Sequence, residues 1–310
     1  MKAAQINAYG PADVVKMTDI EKPTVGKGQV LIENYASCIN PFDIAMREGR
    51  IPLTLPFTLG SDMAGVVIDV AESAERFKVG DKVYGSGNVL SGATGAFAEY
   101  VAVPVDSIAI MPDSISFVQA AAVVLTGVSA VQALVEHFNL QPNQKILIHG
   151  GAGGIGTIAI QIAKLIGAHV ATTVNGNDID YVKKLGADEV IDYESQSFDH
   201  ILSGYDAVFD TVGGQTYTNS FKVLKKGGMM VSMLVKPDAS LMEQYGVVAM
   251  AQQTKVNTKH LDMLRTFIMV QEVAVHVEKV FSLDQIQEAF EAKEKGGVKG
   301  KIAIEIRLSK

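Results

Sequence analysis

Short apolar runs of strand length fill the N-terminal part of the chain. Gln29–Tyr35, Ala64–Val70 and Ala98–Val103 are examples, and Gly, Pro and Asp residues separate them. Runs of this kind, bounded by turn-forming residues, are typical of β-strands. Their spacing predicts an irregular β-barrel or sandwich over about the first 115 residues.

The pattern changes near Phe117, where small and apolar residues begin to recur at helical spacing. Gln119–Leu134 predicts a helix, after which strands and helices alternate. The predicted strands are Lys145–His149, Ala168–Val174, Glu189–Asp192, Asp206–Val212 and Met229–Val235, with helices at Gly154–Ile166 and Ile179–Leu185. Alternation at this pitch predicts βαβ units around a parallel sheet.

The alternation ends after about Asn257. Helices are predicted over Lys259–Met269 and Leu283–Lys295, because apolar residues recur there at helical spacing. Gly296–Gly297 then breaks the pattern, and Lys301–Ile306 predicts a final strand.

The sequence KILIHGGAGGIG places a glycine-rich turn between a predicted strand and a predicted helix. Gly151, Gly153 and Gly156 fit the pattern G-x-G-x-x-G. In that pattern the first glycine permits the tight turn, the second lets the backbone approach a pyrophosphate, and the third lets helix and strand pack closely. The N–H groups at the helix start, those of Gly154, Ile155 and Gly156, carry partial positive charge and suit phosphate. The motif predicts dinucleotide binding; a glycine-rich turn without a ligand is the alternative.

The end of the second predicted strand bears on which dinucleotide is expected. An acidic residue there would bind the ribose 2′-hydroxyl of NAD, but Asn175 stands at this coenzyme-contacting position. Asp178 and Asp180 come later and suit the start of the next helix. The missing carboxylate removes repulsion against a 2′-phosphate, so NADPH is the predicted coenzyme. NADH is the alternative, because the turn contains no Arg or Lys.

Composition and charge exclude several classes of function. The 310-residue chain has a formal net charge of −7 and lacks the Lys/Arg cluster of a nucleic-acid surface. Its one cysteine, Cys38, can form no internal disulfide and no site with two or more thiolates. The most apolar stretch, Ala120–Leu134, is interrupted by polar residues, and we predict that it is too short and too polar to span a bilayer. We therefore expect a cytoplasmic protein with no nucleic-acid or membrane partner.

Several ordered motifs resemble one protein family over nearly the whole chain. Besides the glycine turn they are INPFD (Ile39–Asp43), LGSDMAGVV (Leu59–Val67), VGDKVYG (Val79–Gly85), GAFAEYV (Gly95–Val101), LTGVSA (Leu125–Ala130), KLGADEVIDY (Lys184–Tyr193) and VKGKIAI (Val298–Ile304). In these motifs the chain resembles the medium-chain dehydrogenase/reductases, and among them the zinc-lacking quinone oxidoreductase-like and enone-reductase branch.

The resemblance implies an α/β fold built from two domains. A GroES-like, β-rich catalytic domain is interrupted in sequence by a Rossmann domain with a doubly wound parallel sheet, and the active site lies in the cleft between them. Applied to this chain, the expected boundaries are 1–118 and 258–310 for the catalytic domain and 119–257 for the Rossmann domain.

The family also implies where a catalytic zinc ion would bind. By this resemblance, zinc-dependent members carry a Cys at the position of Asn40 and a His-Glu pair at the positions of Ser61 and Asp62. Catalytic zinc needs three protein ligands, and this chain lacks that set, since Cys38 is offset by two residues and suits a small buried position. The six histidines are dispersed and suit packing positions, with His149 as an alternative contact for the coenzyme turn. No metal site is therefore expected.

Other residues take roles that the resemblance implies. At the reaction centre they are Asn40, beside nicotinamide and substrate, and Lys301 of the GK motif; a structural Asn-Pro turn and a solvated lysine are the alternatives. At the coenzyme they are Thr126 near the nicotinamide amide or phosphate, Tyr193 near the adenosine phosphate, and the backbone of Val212-Gly213 at the nicotinamide ribose. Helix packing and an ordinary strand-end tyrosine are the alternatives for Thr126 and Tyr193.

The segment after Asn40 departs from some quinone reductases of the family. Those have a tyrosine two residues after the equivalent of Asp43, where this chain has Ala45. The departure favours the enone-reductase group, in which NPxDxxxRxG is familiar. We expect Asp43 to cap a helix rather than act as a catalytic acid, and Arg47 to form a surface salt bridge, with contact to an anion as the alternative.

Without a Lewis acid, the suited substrates are those that are already electrophilic. We therefore expect an NADPH-dependent oxidoreductase that transfers hydride to small quinones or α,β-unsaturated carbonyls. The alternatives are an enoyl-type reductase of a larger acyl substrate and a catalytically weak NADPH-binding regulatory protein. Gly246–Thr254 resembles the family's last Rossmann strand, whose exposed edge often pairs across a dimer, so a homodimer is expected.

Overall fold

The chain divides into two compact units. The computed structural model describes residues 1–72, 74, 76–271 and 273–308. The first unit comprises Met1–Leu125, Val256–Val270 and Val275–Lys310, and the second comprises Thr126–Lys255 and Gln271–Ala274. The first unit is therefore interrupted in sequence by the second.

The helices and strands predicted from the apolar pattern are all present in the predicted order, some with shifted ends, and the structure contains further short elements that the pattern does not predict. The strands are β1 (Lys2–Ile6), β2 (Val15–Asp19), β3 (Gln29–Cys38), β4 (Phe57–Thr58), β5 (Asp62–Val70), β6 (Lys82–Ser86), β7 (Tyr100–Pro104), β8 (Ile108–Ile110), β9 (Lys145–His149), β10 (His169–Val174), β11 (Glu189–Asp192), β12 (Tyr205–Asp210), β13 (Leu224–Ser232), β14 (Val248–Ala251), β15 (Val277–Ser282) and β16 (Lys301–Glu305). The α-helices are α1 (Pro41–Arg47), α2 (Phe117–Val131), α3 (Gly154–Ile166), α4 (Ile179–Lys184), α5 (Phe198–Ile201), α6 (Gly214–Ser220), α7 (Ala239–Tyr245), α8 (Thr258–Gln271) and α9 (Ile286–Glu294).

The first unit is built on two sheets. A three-stranded sheet has the order β2-β1-β4, and a seven-stranded sheet has the order β15-β16-β3-β5-β6-β8, with β7 paired to β3. On β3, Cys38 pairs with Asp62 of β5 on one side and with Ala303 of β16 on the other. This antiparallel register gathers residues from three distant parts of the sequence at the end of β3.

One core of the first unit lies between the strands and the C-terminal helix α9. Ile286, Ala289 and Phe290 of α9 pack with Ile302 and Ile304 of β16. The ring of Phe290 meets that of Phe97 edge to face, with centroids 5.9 Å apart. The C-terminal segment is thus a structural part of the first unit.

The second unit contains one fully parallel sheet. Its order is β11-β10-β9-β12-β13-β14, and every pairing in it is parallel. Numbered within the unit, this is the order 3-2-1-4-5-6 of a doubly wound Rossmann sheet. Strands of such sheets are covered on both faces, which explains why Lys145–His149 has only one exposed residue, Lys145. The predicted fold class, a GroES-like domain with a Rossmann domain, is confirmed.

The helix that begins at Phe117 is longer than the sequence pattern predicts. It runs through Val131 and continues as a π-helical turn, Gln132–His137. By length and composition alone this 21-residue helix could cross a membrane, so the prediction that the stretch is too short and too polar is wrong. Its most apolar window is 78% buried inside the structure, as in a core helix of a globular protein.

Candidate active site

The turn between β9 and α3 carries the glycine motif of the second unit. Gly150, not Gly151, adopts the left-handed conformation, with φ +69°. A Cβ on Gly151 would instead lie 2.1 Å from Oγ1 of Thr172 on β10. The expectation that Gly151 permits the tight turn is therefore wrong in its reason, because this glycine is required by close packing against the neighbouring strand.

The two later glycines of the motif differ in what surrounds them. A Cβ on Gly156 would lie 2.3 Å from the carbonyl oxygen of Gly150, so this glycine lets α3 approach the turn. A Cβ on Gly153 would meet only that same oxygen, at 3.3 Å. This contact is tight but less severe than the one at Gly156, and Gly153 is the N-cap residue of α3.

The first turn of α3 begins with Gly154, Ile155 and Gly156. N–H groups in the first turn of a helix have no carbonyl partner within the helix, and they carry partial positive charge. These donors, preceded by a glycine that has no side chain, fit the pyrophosphate of a dinucleotide.

His149, at the end of β9, is a packing residue with a defined polarity. Its Nδ1 lies 3.0 Å from Oγ1 of Thr173, and its Nε2 lies 2.9 Å from Oγ of Ser220. Ser220 donates its proton to the carbonyl oxygen of Thr216, so it accepts from His149, whose Nε2 therefore carries the proton. Burial lowers the pKa of His149 to about 4, against the opposing charge of Asp210. This neutral histidine is buried directly before the glycine turn, which is the packing role predicted.

The carboxyl end of β10 lies beside the end of β11, where Val174 pairs with Asp192. Asn175 is half-buried and its Oδ1 accepts from the N–H of Asn177 at 3.0 Å. A Cβ on Gly176 would lie 3.0 Å from a carboxylate oxygen of Asp192. Tyr193 is 58% exposed, with its backbone N–H bonded to Val174. These residues meet at one corner of the sheet's carboxyl edge.

Val212 and Gly213 follow β12 at the same edge of the sheet. Their backbone N–H groups donate to Oδ1 of Asp210 at 3.0 and 2.8 Å. Asp210 and its partner Ser232 on β13, bonded at 2.7 Å, are residues that sequence reasoning missed. The signal that would have found them is a polar residue at the end of an apolar strand, directly before a glycine-containing loop. Thr126 is buried in α2.

In the first unit, the structure brings together Asn40 and Lys301, the two residues that the family resemblance assigns to the reaction centre. The ammonium of Lys301 donates to the carbonyl oxygen of Ile39 at 3.1 Å and to Oδ1 of Asn40 in a short hydrogen bond. Nδ2 of Asn40 donates to Oδ2 of Asp62 at 2.9 Å. Lys301, Asn40 and Asp62, named here the buried triad, therefore form a continuous chain from ammonium to carboxylate, and each is at most 4% exposed.

Asp62 carries the negative charge of the buried triad. Its Oδ2 also accepts from Sγ of Cys38 at 3.3 Å and from the N–H of Leu125 at 3.3 Å. Its Oδ1 is buried without a hydrogen-bond partner. Burial raises the pKa of Asp62, although the charge of Lys301 and these hydrogen bonds oppose that rise. Burial likewise raises the pKa of the Cys38 thiol, which occupies the small buried position predicted.

Asp43 lies beside the buried triad and caps helix α1, as predicted. Its Oδ2 accepts from the backbone N–H of Asn40 at 2.8 Å, and its Oδ1 accepts from Oγ of Ser61 at 2.6 Å. Burial raises the pKa of Asp43 to about 7, although the bond from Ser61 opposes the rise.

Arg47 is not a surface residue. Its side chain is 1% exposed, and its Nη2 lies 2.6 Å from a carboxylate oxygen of Glu294 on α9. Its guanidinium also lies over the ring of Phe290 at 5.1 Å, and its Nε donates to Gly10. The predicted salt bridge exists, but the Arg47 side chain in it is buried, because α1 packs against α9 there.

Comparison with known proteins places both units in one family. Residues 26–113 match the family described as alcohol dehydrogenase GroES-like domain, and residues 185–304 match the family described as zinc-binding dehydrogenase. The chain is 34% identical to the 2-methylene-furan-3-one reductase of Solanum lycopersicum, over 98% of this chain and 79% of that protein. It belongs to the medium-chain dehydrogenase/reductase superfamily, in its quinone oxidoreductase-like branch.

Other medium-chain dehydrogenase/reductases support the same placement. The chain is 37% identical to a chloroplastic NADPH-dependent alkenal/one oxidoreductase of Arabidopsis thaliana, over 75% of this chain and 62% of that protein. The solved quinone oxidoreductase of Coxiella burnetii is 32% identical, with a TM-score of 0.91 over 99% of both chains. The quinone oxidoreductase of Escherichia coli, solved in complex with NADPH, is 26% identical, with a TM-score of 0.90 over 99% of this chain and all of that one.

Proposed function

We propose that this medium-chain dehydrogenase/reductase is a zinc-independent reductase of quinones or α,β-unsaturated carbonyls that uses NADPH. The observation that carries the proposal is the start of α3, where Gly153, which has no side chain, is the N-cap residue before the unpaired N–H groups of the first turn. The turn lies at the carboxyl edge of a sheet in Rossmann order, which is where such folds bind nucleotides. The relatives named for alkenal/one, furanone and quinone substrates support the substrate class.

The residues of the second unit would hold the coenzyme along this carboxyl edge. The N–H groups of Gly154, Ile155 and Gly156 suit the pyrophosphate, and Asn175 and Tyr193 lie at the corner that suits the adenosine ribose. We place Val212 and Gly213 at the nicotinamide half and Thr126 near its carboxamide. When bound, NADPH supplies the hydride.

Hydrogen bonding at the positions of the family's zinc ligands supports a metal-free reaction. Asn40 and Asp62 bond to each other, and Ser61 bonds to Asp43. Amide and hydroxyl oxygens are poor zinc ligands beside the His and Cys that zinc prefers. Within the described residues no group of three or more His, Cys, Asp and Glu side chains is arranged to hold a metal ion.

We further propose that Lys301 supplies the positive charge of this site. Among the described residues its ammonium donates hydrogen bonds to Ile39 and Asn40, and an ammonium has three N–H donors. Such a cation stabilises negative charge that develops on a carbonyl or quinone oxygen during reduction. Substrates that are already electrophilic need no stronger Lewis acid. Asn40 then orients this ammonium through its amide oxygen.

A cytoplasmic homodimer is also proposed. Among the described strands, β14 pairs only with β13 and lies at the edge of the parallel sheet, where a further strand can pair. Its residue Val248 is 51% exposed, and pairing with a second strand would cover it. A monomer by light scattering at micromolar concentration would contradict the dimer and leave the reductase proposal intact.

The decisive experiment follows oxidation of NADPH optically with a benzoquinone, a naphthoquinone, an enone and a 2-alkenal. Each acceptor is repeated with NADH and after incubation with a chelator. We expect turnover that resists the chelator, and the best acceptor defines the substrate class. Absence of turnover on all acceptors, with NADPH still bound, would refute the reductase proposal and favour a regulatory NADPH-binding protein.

A further inference from the structure

Asp210 is a buried carboxylate to which the proposed reaction assigns no role. It ends β12 and is fully buried. Its Oδ1 accepts from the N–H groups of Val212 and Gly213 at 3.0 and 2.8 Å, and its Oδ2 accepts from Oγ of Ser232 at 2.7 Å. A carboxylate accepts hydrogen bonds only, so the direction of all three bonds is fixed.

Ser232, the last residue of β13, connects Asp210 by hydrogen bonds to the loop that follows β13. While its proton is donated to Asp210, its Oγ accepts from the N–H groups of Leu234 and Val235 at 3.2 and 3.1 Å. One carboxylate and one hydroxyl therefore organise the loops that follow two neighbouring strands of the sheet.

The two loops also touch each other and the glycine turn. Gly213 has φ +78°, and a Cβ there would lie 3.3 Å from Cβ of Leu234. A Cβ on Gly150 would lie 2.9 Å from Oγ1 of Thr211, which itself donates to the carbonyl oxygen of His149 at 2.8 Å. The loops after β9, β12 and β13 thus form one packed layer at the carboxyl edge.

Two apolar side chains of this layer are exposed. Val212 is 50% exposed and Leu234 is 66% exposed. Apolar side chains beside ordered polar backbone are typical of a surface that receives a flat ring with a few hydrogen-bonding groups. The backbone N–H groups that would otherwise shift are held by Asp210 and Ser232.

We propose that Asp210, through Ser232, is a positioning residue that fixes this layer for the nicotinamide half of the coenzyme. The inference rests on the proposed coenzyme function and adds to it a residue pair that touches neither coenzyme nor substrate. It separates the two halves of the ligand, because the adenosine half is expected at Asn175 and Tyr193, on the other side of the glycine turn.

Titration calorimetry with NADPH and with 2′,5′-ADP, which lacks the nicotinamide half, tests the proposal. In Asp210→Asn the new NH2 group faces Ser232, whose Oγ already accepts two N–H groups, so the layer must shift. We expect the Kd for NADPH to rise about tenfold and the Kd for 2′,5′-ADP to stay within about twofold. Asp206→Asn is the matched control, since Asp206 also accepts a backbone N–H, that of Lys145, but at the opposite end of β12.

Serine variants keep the test decisive if Asp210→Asn fails to fold. Ser232→Ala should weaken NADPH alone, and Ser232→Thr, which keeps the hydroxyl, should restore wild-type binding. Equal weakening of NADPH and 2′,5′-ADP, or no weakening of either, would overturn the positioning role while the reductase proposal stands. A wild-type protein that binds neither compound would overturn the proposed function and this inference with it.

Discussion

The amide nitrogen of Asn40 lies 2.9 Å from a carboxylate oxygen of Asp62, while the amide oxygen of Asn40 accepts from the ammonium of Lys301. The amide is therefore held in one orientation by a cation on one side and an anion on the other. Asp62 and Lys301 share no direct salt bridge in the described residues, so Asn40 is the link that joins the opposite charges. A substitution at Lys301, Asn40 or Asp62 is therefore expected to disturb the hydrogen bonds of the other two residues.

The first prediction concerns the stability that Lys301 contributes. In Lys301→Met, Oδ1 of the buried Asn40 and the carbonyl oxygen of Ile39 lose their donor. Because an unsatisfied buried acceptor is costly, we expect the free energy of unfolding to fall by about 1–3 kcal/mol, measured by urea denaturation. Lys295→Met, at an exposed position after α9, is the control and should change little. Equal stabilities of the two variants would contradict the role of the buried triad.

The second prediction follows from the carboxyl of Asp43, whose pKa burial raises from 3.8 to about 7. The folded protein binds this proton more tightly than the unfolded chain, so the stability from Asp43 is fully present below the unfolded pKa. It declines as the pH rises, and is lost once the pH has passed through about 7.

The comparison of wild type with Asp43→Asn isolates that effect. The variant keeps the size of the side chain but cannot titrate, so its stability deficit should be larger at about pH 5 than at about pH 8. Denaturation curves across this range measure the difference. Asp69→Asn, at an exposed position, is the control for the loss of one acidic side chain, and a deficit for Asp43→Asn that stays constant with pH would refute the prediction.

The third prediction separates a glycine required by the fold from one required by the ligand. An alanine Cβ at Gly151 would lie 2.1 Å from Thr172, but one at Gly153 would meet only a carbonyl oxygen at 3.3 Å. Gly151→Ala should therefore lower the Tm by several degrees, about 1–3 kcal/mol of overpacking. Gly153→Ala meets a milder contact, so it should lower the Tm less than Gly151→Ala does, and it should weaken NADPH binding about tenfold or more. If both variants bind NADPH as tightly as the wild type does, that result would argue against a pyrophosphate at this turn.

The regular elements of the second unit could be predicted because their signals are local. The predicted Lys145–His149, Gly154–Ile166 and Glu189–Asp192 agree with the observed bounds. An apolar run between glycine-rich turns has few alternatives when the whole strand is covered on both faces. The helix predicted over Gln119–Leu134 begins at Phe117 instead, since helix ends depend on capping contacts that the apolar period does not contain.

The polar contacts of the site could not be predicted, because they join residues distant in sequence. Lys301 and Asn40 are brought together by the pairing of β16 with β3, and the sequence contains no record of that register. Arg47 appeared suited to the surface because charged side chains usually are, but its partner Glu294 lies 247 positions away. The reason for Gly151 was likewise invisible, since it depends on Thr172 of the neighbouring strand.

The last prediction concerns selectivity between NADPH and NADH. At the corner that suits the adenosine ribose, the described segments 172–180 and 189–197 contain no Lys or Arg, and a carboxylate oxygen of Asp192 lies against Gly176. A 2′-phosphate there would rely on neutral donors, so the preference for NADPH should be small.

Asn177→Lys adds a cation to this exposed turn and should lower the Kd for NADPH about fivefold without changing the Kd for NADH. High salt should reduce this effect. Ser203→Lys, an exposed position before β12 at the opposite edge of the sheet, adds the same charge and should leave both values unchanged. If both lysine variants tighten NADPH equally, overall charge rather than a local phosphate contact would explain the gain, and the adenosine ribose would have to bind elsewhere.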